Sequence, residues 1–139
     1  MPDNIHRDLS VYRLEKSEKV LKDAKNNYDF GSYDTAANRA YYSVFHAMRA
    51  VFALDKKDYS KHSAVISFFS KDYILTGKFD RSFGKTIKMA GALRNASDYN
   101  DYQETSEEEV REIIDKASEF YEAVKNHINA QIEPDKDNT

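Results

Sequence analysis

The sequence predicts an all-α protein, an antiparallel up-and-down bundle of about five helices. Apolar residues recur at helical spacing through several long segments, as on the buried faces of amphipathic helices. The 139 residues include only two prolines and four glycines, which favours long helices over strands and loops. A chain of this length forms one core, so we expect a single domain over 1–139, with its core at about 8–130 and a frayed tail over 132–139.

The first two predicted helices differ in polarity. Helix one spans about 7–27, where a partly apolar stripe runs among lysines and acids, and Gly31 marks its end. Helix two begins at a cap, Ser32 or Asp34, and runs to about Leu54. It is apolar on most sides, which predicts a central position in the bundle.

Three further helices complete the prediction. A short one covers 60–71, and the helical period resumes at Phe79 in a fourth. The fifth ends before Pro134 and carries two overlapping capping boxes at its start: Thr105 with Glu108, and Ser106 with Glu109.

Composition excludes several classes of protein. A charged fraction of 32% and no apolar run near 18 residues argue against a membrane protein, and the N-terminus has no apolar signal core. No cysteine is present, so disulfides and thiolate metal sites are excluded. None of the four histidines follows a Glu by three residues or pairs with another at i,i+4, so we expect no metal and no cofactor. A cytoplasmic, prokaryotic protein is the expectation.

Charge is segregated along the chain. Residues 78–94 contain five cations and one acid, whereas residues 101–122 contain nine acids and two cations. The net charge of -3 therefore hides a basic helix that is able to meet phosphates.

Arg94 has an unusual place on the fourth helix. It projects into the same arc as Phe83 and Ile87, where an apolar residue is expected. A buried guanidinium needs a counter-charge, and Asp98 stands one turn on as an i,i+4 partner. The pattern leaves two interpretations open, an internal Arg–Asp pair or an arginine that binds phosphate or takes part in catalysis.

The other face of this helix carries Gly84 and Gly91, two notches where a neighbouring backbone could approach closely. Cations, an amide and phenols share that face: Arg81, Lys88, Asn95, Tyr99 and Tyr102. The face is either a binding surface, a contact between two copies of the chain, or ordinary solvated surface.

Helix two also carries an ordered polar edge. Five residues fall in one arc of about 100°, which indicates a buried hydrogen-bond network or the wall of a cleft. They are Asn38, Arg39, Tyr42, His46 and Arg49. Taken alone, His46 is more often a satisfied core histidine than a functional one. Lys61 and His62 lie in the first turn of the short helix, where free N–H groups favour an anion.

These segments together resemble the HEPN domain superfamily. The similarity rests on three stretches in order, at 37–47 (Ala-Asn-Arg-Ala-Tyr-Tyr-Ser-Val-Phe-His-Ala), 61–69 and 94–99 (Arg-Asn-Ala-Ser-Asp-Tyr), and it covers about 8–130. The chain is most similar to small stand-alone prokaryotic members, often encoded beside a minimal nucleotidyltransferase (MNT). The resemblance implies a helical bundle that forms a homodimer.

Active members of that family carry an Arg-x4-6-His motif from each protomer at the dimer interface and cleave RNA without metal. They resemble toxins that the MNT partner neutralises by modifying or covering the site. Arg94 matches the motif arginine and Asn95 the polar residue after it, but Tyr99 stands where the histidine is expected. A phenol with a pKa of about 10 is a poor base at pH 7, and using it adds roughly 4 kcal/mol to the barrier. His46 and His62 are the open alternatives for the missing imidazole, although nothing in the sequence places either beside Arg94.

Two hypotheses follow from the resemblance. The first is a toxin-like, metal-independent endoribonuclease or RNA-binding component of a toxin–antitoxin or defence pair, with Arg94, Asn95 and Tyr99 as catalytic candidates. Candidates for phosphate or nucleic-acid binding are Arg39, Tyr42, His46, Lys61, His62, Lys88, Asp98 and Tyr102. The alternative is a non-catalytic module that binds a nucleotidyltransferase or a nucleotide.

Overall fold

The structure, a computed structural model, describes residues 3–99, with Tyr99 by its backbone only, and residues 105–132. These residues form five α-helices and one π-helical turn: α1 (Asn4–Asp29), α2 (Tyr33–Leu54), α3 (His62–Phe69), the π turn (Ser70–Ile74), α4 (Ser82–Tyr99) and α5 (Glu107–Ile132). No strand occurs in either described range, and the prediction of an all-α bundle is confirmed. None of these helices is both long and apolar enough to cross a bilayer. The predicted frayed tail over 132–139 is wrong at Ile132, which ends α5, and its other residues lie outside the described ones.

Helix α2 occupies the centre, as its apolar composition predicts. It packs against α1, α3, α4 and α5. Fourteen of its 22 residues are buried, among them Phe52 and Met48, which have no exposed surface. Burial on nearly all sides removes a large apolar area from water, which is the main favourable term in folding.

Reciprocal hydrogen bonds between buried serines join α1 to α2. Ser17 Oγ donates to the carbonyl oxygen of Ser43 at 2.7 Å, and Ser43 Oγ donates to that of Ser17 at 3.0 Å. Ser10 Oγ donates to the carbonyl oxygen of Ala50 at 2.7 Å. Ser10, Ser17 and Ser43, called the serine seam below, are almost wholly buried, and each hydroxyl has a partner.

Of the two predicted capping boxes, Ser106 with Glu109 forms in part, because the Glu109 carboxylate accepts from the Ser106 hydroxyl and not from the Ser106 backbone N–H. Ser106 Oγ accepts a hydrogen bond from the backbone N–H of Glu109 at 3.2 Å and donates to its carboxylate at 2.9 Å. The box predicted for Thr105 with Glu108 is wrong, because the Thr105 hydroxyl donates to Asp34 Oδ1 at 2.7 Å instead. Asp34 lies in the first turn of α2, so this bond holds the start of α5 beside the start of α2.

The first and third helices differ from their predicted extents. Asp3 caps α1 by accepting the N–H of His6 at 2.8 Å, so this helix begins before residue 7 and also ends later, at Asp29. After α3 the chain widens into the π turn, where Leu75 N–H donates to the Ser70 carbonyl at 2.9 Å. The extra residue in the turn lets Tyr73 and Ile74 both face the core.

The two glycines of α4 face side chains and not another backbone. A Cβ at Gly84 would lie 3.6 Å from Cγ2 of Ile74, and one at Gly91 would lie 3.9 Å from Cε1 of Tyr41. Both are ordinary van der Waals distances. Among the residues that the structure describes, the predicted close backbone approach at these glycines does not occur.

Candidate functional site

Arg94 of α4 rests on two tyrosines of α2. Its guanidinium carbon lies 4.9 Å from the ring centroid of Tyr41 and 5.5 Å from that of Tyr42, both within the range of cation–π attraction. The side chain remains 21% exposed, so it lies at the rim of the helix interface and not in a sealed core. The apolar arc correctly marked Arg94 as inward-facing, but its neighbours are aromatic rings of α2.

The charge of Arg94 is only partly paired. Its Nε lies 3.4 Å from Asp98 Oδ2, which places the expected i,i+4 ion pair at the long end of the range. The geometry forms no hydrogen bond, and Nε is buried without a hydrogen-bond partner among the described residues. Nη2 reaches the Tyr42 hydroxyl only at 3.5 Å. The guanidinium therefore keeps N–H groups that an additional acceptor can use.

A second arginine, Arg39, approaches the ring of Tyr42. The guanidinium carbon of Arg39 lies 5.4 Å from the Tyr42 centroid, and Arg39 donates from Nε and Nη2 to Asn38 Oδ1 at 3.1 and 2.6 Å. Asn38 in turn donates to the Asp98 carboxylate at 3.4–3.5 Å. The two arginines thus share one carboxylate through an amide.

His62 at the start of α3 joins this group from a third helix. Its ring stacks on Phe45 with centroids 4.3 Å apart, and its Nδ1 lies 2.8 Å from the hydroxyl of Tyr41. Tyr41, Tyr42 and Phe45 of α2 with His62 are called the aromatic cluster below. Burial, followed by the positive charges of Arg94 and Arg49, lowers the pKa of His62. The imidazole is therefore neutral at pH 7.

His46 lies beside the cluster in a strongly cationic setting. Its ring centroid is 5.7 Å from that of Phe45 and 6.2 Å from that of Tyr42. Burial lowers the pKa of His46 to about 4, and four nearby cations act in the same direction: Lys16, Arg49, Arg39 and Arg13. A neutral ring packed on aromatic rings fits the sequence-based interpretation of His46 as a core histidine.

A shared carboxylate joins the other two arginines of this region. Asp58 Oδ1 accepts from Arg49 at 3.0 Å and from Arg13 at 3.3 Å, and Arg13 also donates to the Arg49 carbonyl at 3.1 Å. This region therefore has four arginines near two carboxylates, Asp58 and Asp98. The arginines are Arg13, Arg39, Arg49 and Arg94. Arg13 is only 8% exposed, so the cations that this surface offers to a polyanion are Arg39, Arg49 and Arg94.

Several predicted site residues are not brought to the aromatic cluster. Lys61, Lys88 and Asn95 are exposed, and within the described ranges none forms a hydrogen bond, ion pair or cation–π contact with it. The Tyr99 side chain and Tyr102 lie outside the described residues. Across the same ranges, no three side chains of the His, Cys, Asp and Glu types converge to hold a metal ion.

Sequence analysis missed Tyr41 and Phe45, which connect the site. Tyr41 is only 3% exposed and sits on the apolar side of α2, so it looks like an ordinary core residue. One signal was available, because a buried phenol needs a hydrogen-bond partner and therefore points to a polar group on another helix.

Comparison with known proteins agrees with this architecture. The model of the HEPN domain family matches residues 10–127. A protein of Methanocaldococcus jannaschii named "Putative toxin MJ0142" is 30% identical over 91% of this chain and 87% of its own length. A second protein of that organism, named "Putative toxin MJ0605", is 31% identical over 81% of this chain and 83% of its own length. A "UPF0332 protein" of Thermotoga maritima is 31% identical over 88% and 92%. The chain therefore belongs to the HEPN family, as the resemblance predicted.

Proposed function

We propose that this chain is a toxin-like HEPN protein that binds RNA at the aromatic cluster and cleaves it without a metal ion. Arg94 holds the scissile phosphate in this proposal. The observation that carries it is the incompletely paired guanidinium, stacked on Tyr41 and Tyr42 at the rim of a helix interface. The names of the two relatives from M. jannaschii support the toxin-like class.

Guanidinium chemistry suits this role. Arginine presents a planar fork of N–H donors that matches two phosphate oxygens, and its charge persists at any physiological pH. Stacking on the tyrosine rings fixes the plane of the Arg94 guanidinium without using its N–H groups. The weak contact with Asp98 leaves those donors open to a stronger anion.

The surrounding charge supports binding of a polyanion. Arg39 and Arg49 of α2 lie within cation–π distance of Tyr42 and Phe45 of the cluster. Asp58 pairs with Arg49, and Asp98 reaches Arg39 through Asn38. Contacts between arginines and backbone phosphates release counter-ions from RNA, so affinity falls as salt rises. Half-buried Tyr42 also offers an aromatic ring of the kind on which unpaired RNA bases stack.

The test compares cleavage of a labelled single-stranded RNA, with EDTA present, by wild type, Arg94→Ala and Lys85→Ala. Lys85 is an exposed cation on the same helix and serves as the matched control. We expect Arg94→Ala to lose about 100-fold or more, because a charged transition-state contact is removed. Lys85→Ala should stay within about twofold, since an isolated surface charge contributes little. Equal cleavage by wild type and Arg94→Ala would remove Arg94 from the mechanism.

The alternative is a non-catalytic module that binds a nucleotidyltransferase or a nucleotide. Tyr99 at the motif position of histidine favours this alternative, because a phenol is a weak base at neutral pH. In that case co-expression with an MNT-type enzyme yields a stable complex, and the purified protein leaves RNA intact. Cleavage that disappears in Arg94→Ala would exclude a purely non-catalytic role.

The homodimer implied by the family resemblance is also part of the proposal. Light scattering on the purified chain should give twice the 16.1 kDa of one copy. A single-copy mass at the concentrations that cleave RNA would show that one chain carries the whole site.

A further inference from the structure

We propose that His62 supplies the proton acceptor that the motif position lacks. In this inference, which rests on the proposed function, the imidazole takes the proton of the attacking RNA 2′-hydroxyl while Arg94 holds the adjacent phosphate. His62 lies on α3, about thirty residues before Arg94 in the chain, so the spacing of the family motif gives no hint of it.

One side chain connects the two groups. The Tyr41 ring carries the Arg94 guanidinium at 4.9 Å, and the Tyr41 hydroxyl lies 2.8 Å from Nδ1 of His62. The imidazole and the guanidinium are thus separated by a single phenol. In RNA the 2′-oxygen and the neighbouring phosphate belong to one nucleotide, so a base and a phosphate ligand for this reaction have to be close together.

The surroundings of His62 favour its basic form. Burial raises the pKa of Tyr41, which stays a neutral phenol at pH 7, while burial and the Arg94 charge lower the pKa of His62. When Nδ1–H donates to the Tyr41 oxygen, Nε2 keeps its lone pair free to accept a proton. Stacking on Phe45 at 4.3 Å fixes the ring plane, and His62 remains partly exposed to solvent.

The chemical step balances without a metal or redox partner. The 2′-oxygen forms a bond to phosphorus as its proton passes to Nε2 of His62, and the bond from phosphorus to the 5′-oxygen breaks. Water gives a proton to the departing 5′-oxygen, and the resulting hydroxide takes the proton back from the imidazolium. The products are a 2′,3′-cyclic phosphate and a 5′-hydroxyl.

His46 provides a matched comparison within the same region. It packs on Tyr42 and Phe45, as His62 does, but the charges that act most on it are those of Lys16, Arg49, Arg39 and Arg13. His62 alone of the two hydrogen-bonds to Tyr41, the residue that carries Arg94. The contacts therefore favour His62 over His46 as the base.

The experiment measures RNA binding and cleavage separately, for wild type and for His62→Ala, His62→Asn, His127→Ala and Arg94→Ala. Binding is followed by fluorescence anisotropy on an RNA whose cleavage site carries a 2′-deoxy sugar, and cleavage on the all-ribose RNA with EDTA. We expect both His62 variants to bind within about threefold of wild type and to cleave at least about 100-fold more slowly, the usual contribution of a general base. His127→Ala, which changes a histidine of α5 that packs on Phe79, should retain cleavage.

Two further readouts distinguish a base from a structural residue. Added imidazole should restore part of the cleavage by His62→Ala and none by Arg94→Ala. The acid limb of the wild-type pH profile for kcat/KM should titrate below pH 6.5, because the His62 pKa is lowered, and should be absent in His62→Asn.

The results that would contradict the role of His62 differ from those that would contradict the proposed RNA cleavage. Cleavage by His62→Asn and His62→Ala at the wild-type rate, with Arg94→Ala inactive, overturns the role of His62 and leaves the proposed function standing. Binding that falls as far as cleavage in both His62 variants makes His62 a phosphate ligand and also overturns its role as base. Wild type that leaves RNA intact overturns the proposed cleavage itself.

Discussion

The two sides of α2 handle polar groups in opposite ways. Towards α1, the serine seam buries its hydroxyls completely and pairs each one, as between Ser17 and Ser43. Towards α3 and α4, the aromatic cluster carries charged and ionisable groups at the rim, and no described residue forms a hydrogen bond with Arg94 Nε. One helix therefore has one side with its polar groups satisfied and another side with unused donors.

From this difference we infer that the serine seam serves stability and that the aromatic cluster is the side available for a ligand. A buried hydroxyl with a partner contributes to the free energy of unfolding, and its removal leaves an unpaired carbonyl. A partly exposed guanidinium with an incomplete partner contributes little to folding and retains capacity for a ligand. We therefore expect substitutions on the two sides to separate stability from activity.

Ser17→Val should have the largest effect on stability. It removes a donor from the Ser43 carbonyl and crowds the seam, which should lower the free energy of unfolding by about 2–3 kcal/mol. Urea denaturation followed by circular dichroism measures this loss. Ser118→Val is the control, because the Ser118 hydroxyl donates within its own helix to Ile114 and is half-buried. Equal losses in the two variants would remove the special role of the seam.

His46 should make stability depend on pH. Its pKa is about 4 in the folded protein and about 6.5 when unfolded, so between these values the unfolded chain binds more protons. The free energy of unfolding should therefore rise from pH 4 to pH 6.5 and then level off. Because the ring is partly exposed, we expect its share to be on the order of 1 kcal/mol. His62 and His127 also have lowered pKa values and contribute in the same direction.

The measurement for His46 is a series of urea denaturation curves at several pH values, for wild type and for His46→Gln. In His46→Gln the free energy of unfolding should still rise with pH because of the other titrating groups. The rise should be smaller than in wild type, because the contribution of His46 is lost. Identical slopes in the two proteins would show that the His46 ring is solvated in the folded state.

Arg94→Met should have the smallest effect on stability. The thioether fills similar space on Tyr41 and Tyr42, and it replaces a buried Nε that has no hydrogen-bond partner in the described part of the chain. The loss of cation–π attraction opposes that gain, so the free energy of unfolding should stay within about 1 kcal/mol of wild type. A loss as large as that of Ser17→Val would make Arg94 a structural residue.

Local patterns were sufficient to predict much of the fold. The apolar composition of α2 correctly predicted its central place, and Ser106 with Glu109 correctly marked the start of α5. The departure of Thr105 had a tertiary cause, since its acceptor, Asp34, lies 71 residues earlier in the chain. The π turn was missed as well, because helical periodicity alone gives no sign of an added residue.

For the candidate site, the sequence predicted the inward-facing position of Arg94 but not the contacts of His62. Arg94 was identified because a cation at an inward-facing position needs a partner, and that argument uses one helix only. The sequence correctly placed His62 in the first turn of a short helix, but the contact of His62 with Tyr41 depends on how α3 packs on α2. Contacts between helices are set by packing, which the spacing of residues within a helix does not encode.

Asp58 gives the fold and the site a common counter-ion. It lies in the segment between α2 and α3, four residues before His62, and neutralises Arg13 of α1 and Arg49 of α2. Exchange of this acid for a neutral residue would leave two neighbouring guanidinium groups in mutual repulsion and release the chain that leads into α3. Among related sequences, residues 13, 49 and 58 should therefore change together, because the loss of one of these charges alters which substitutions the other two positions tolerate.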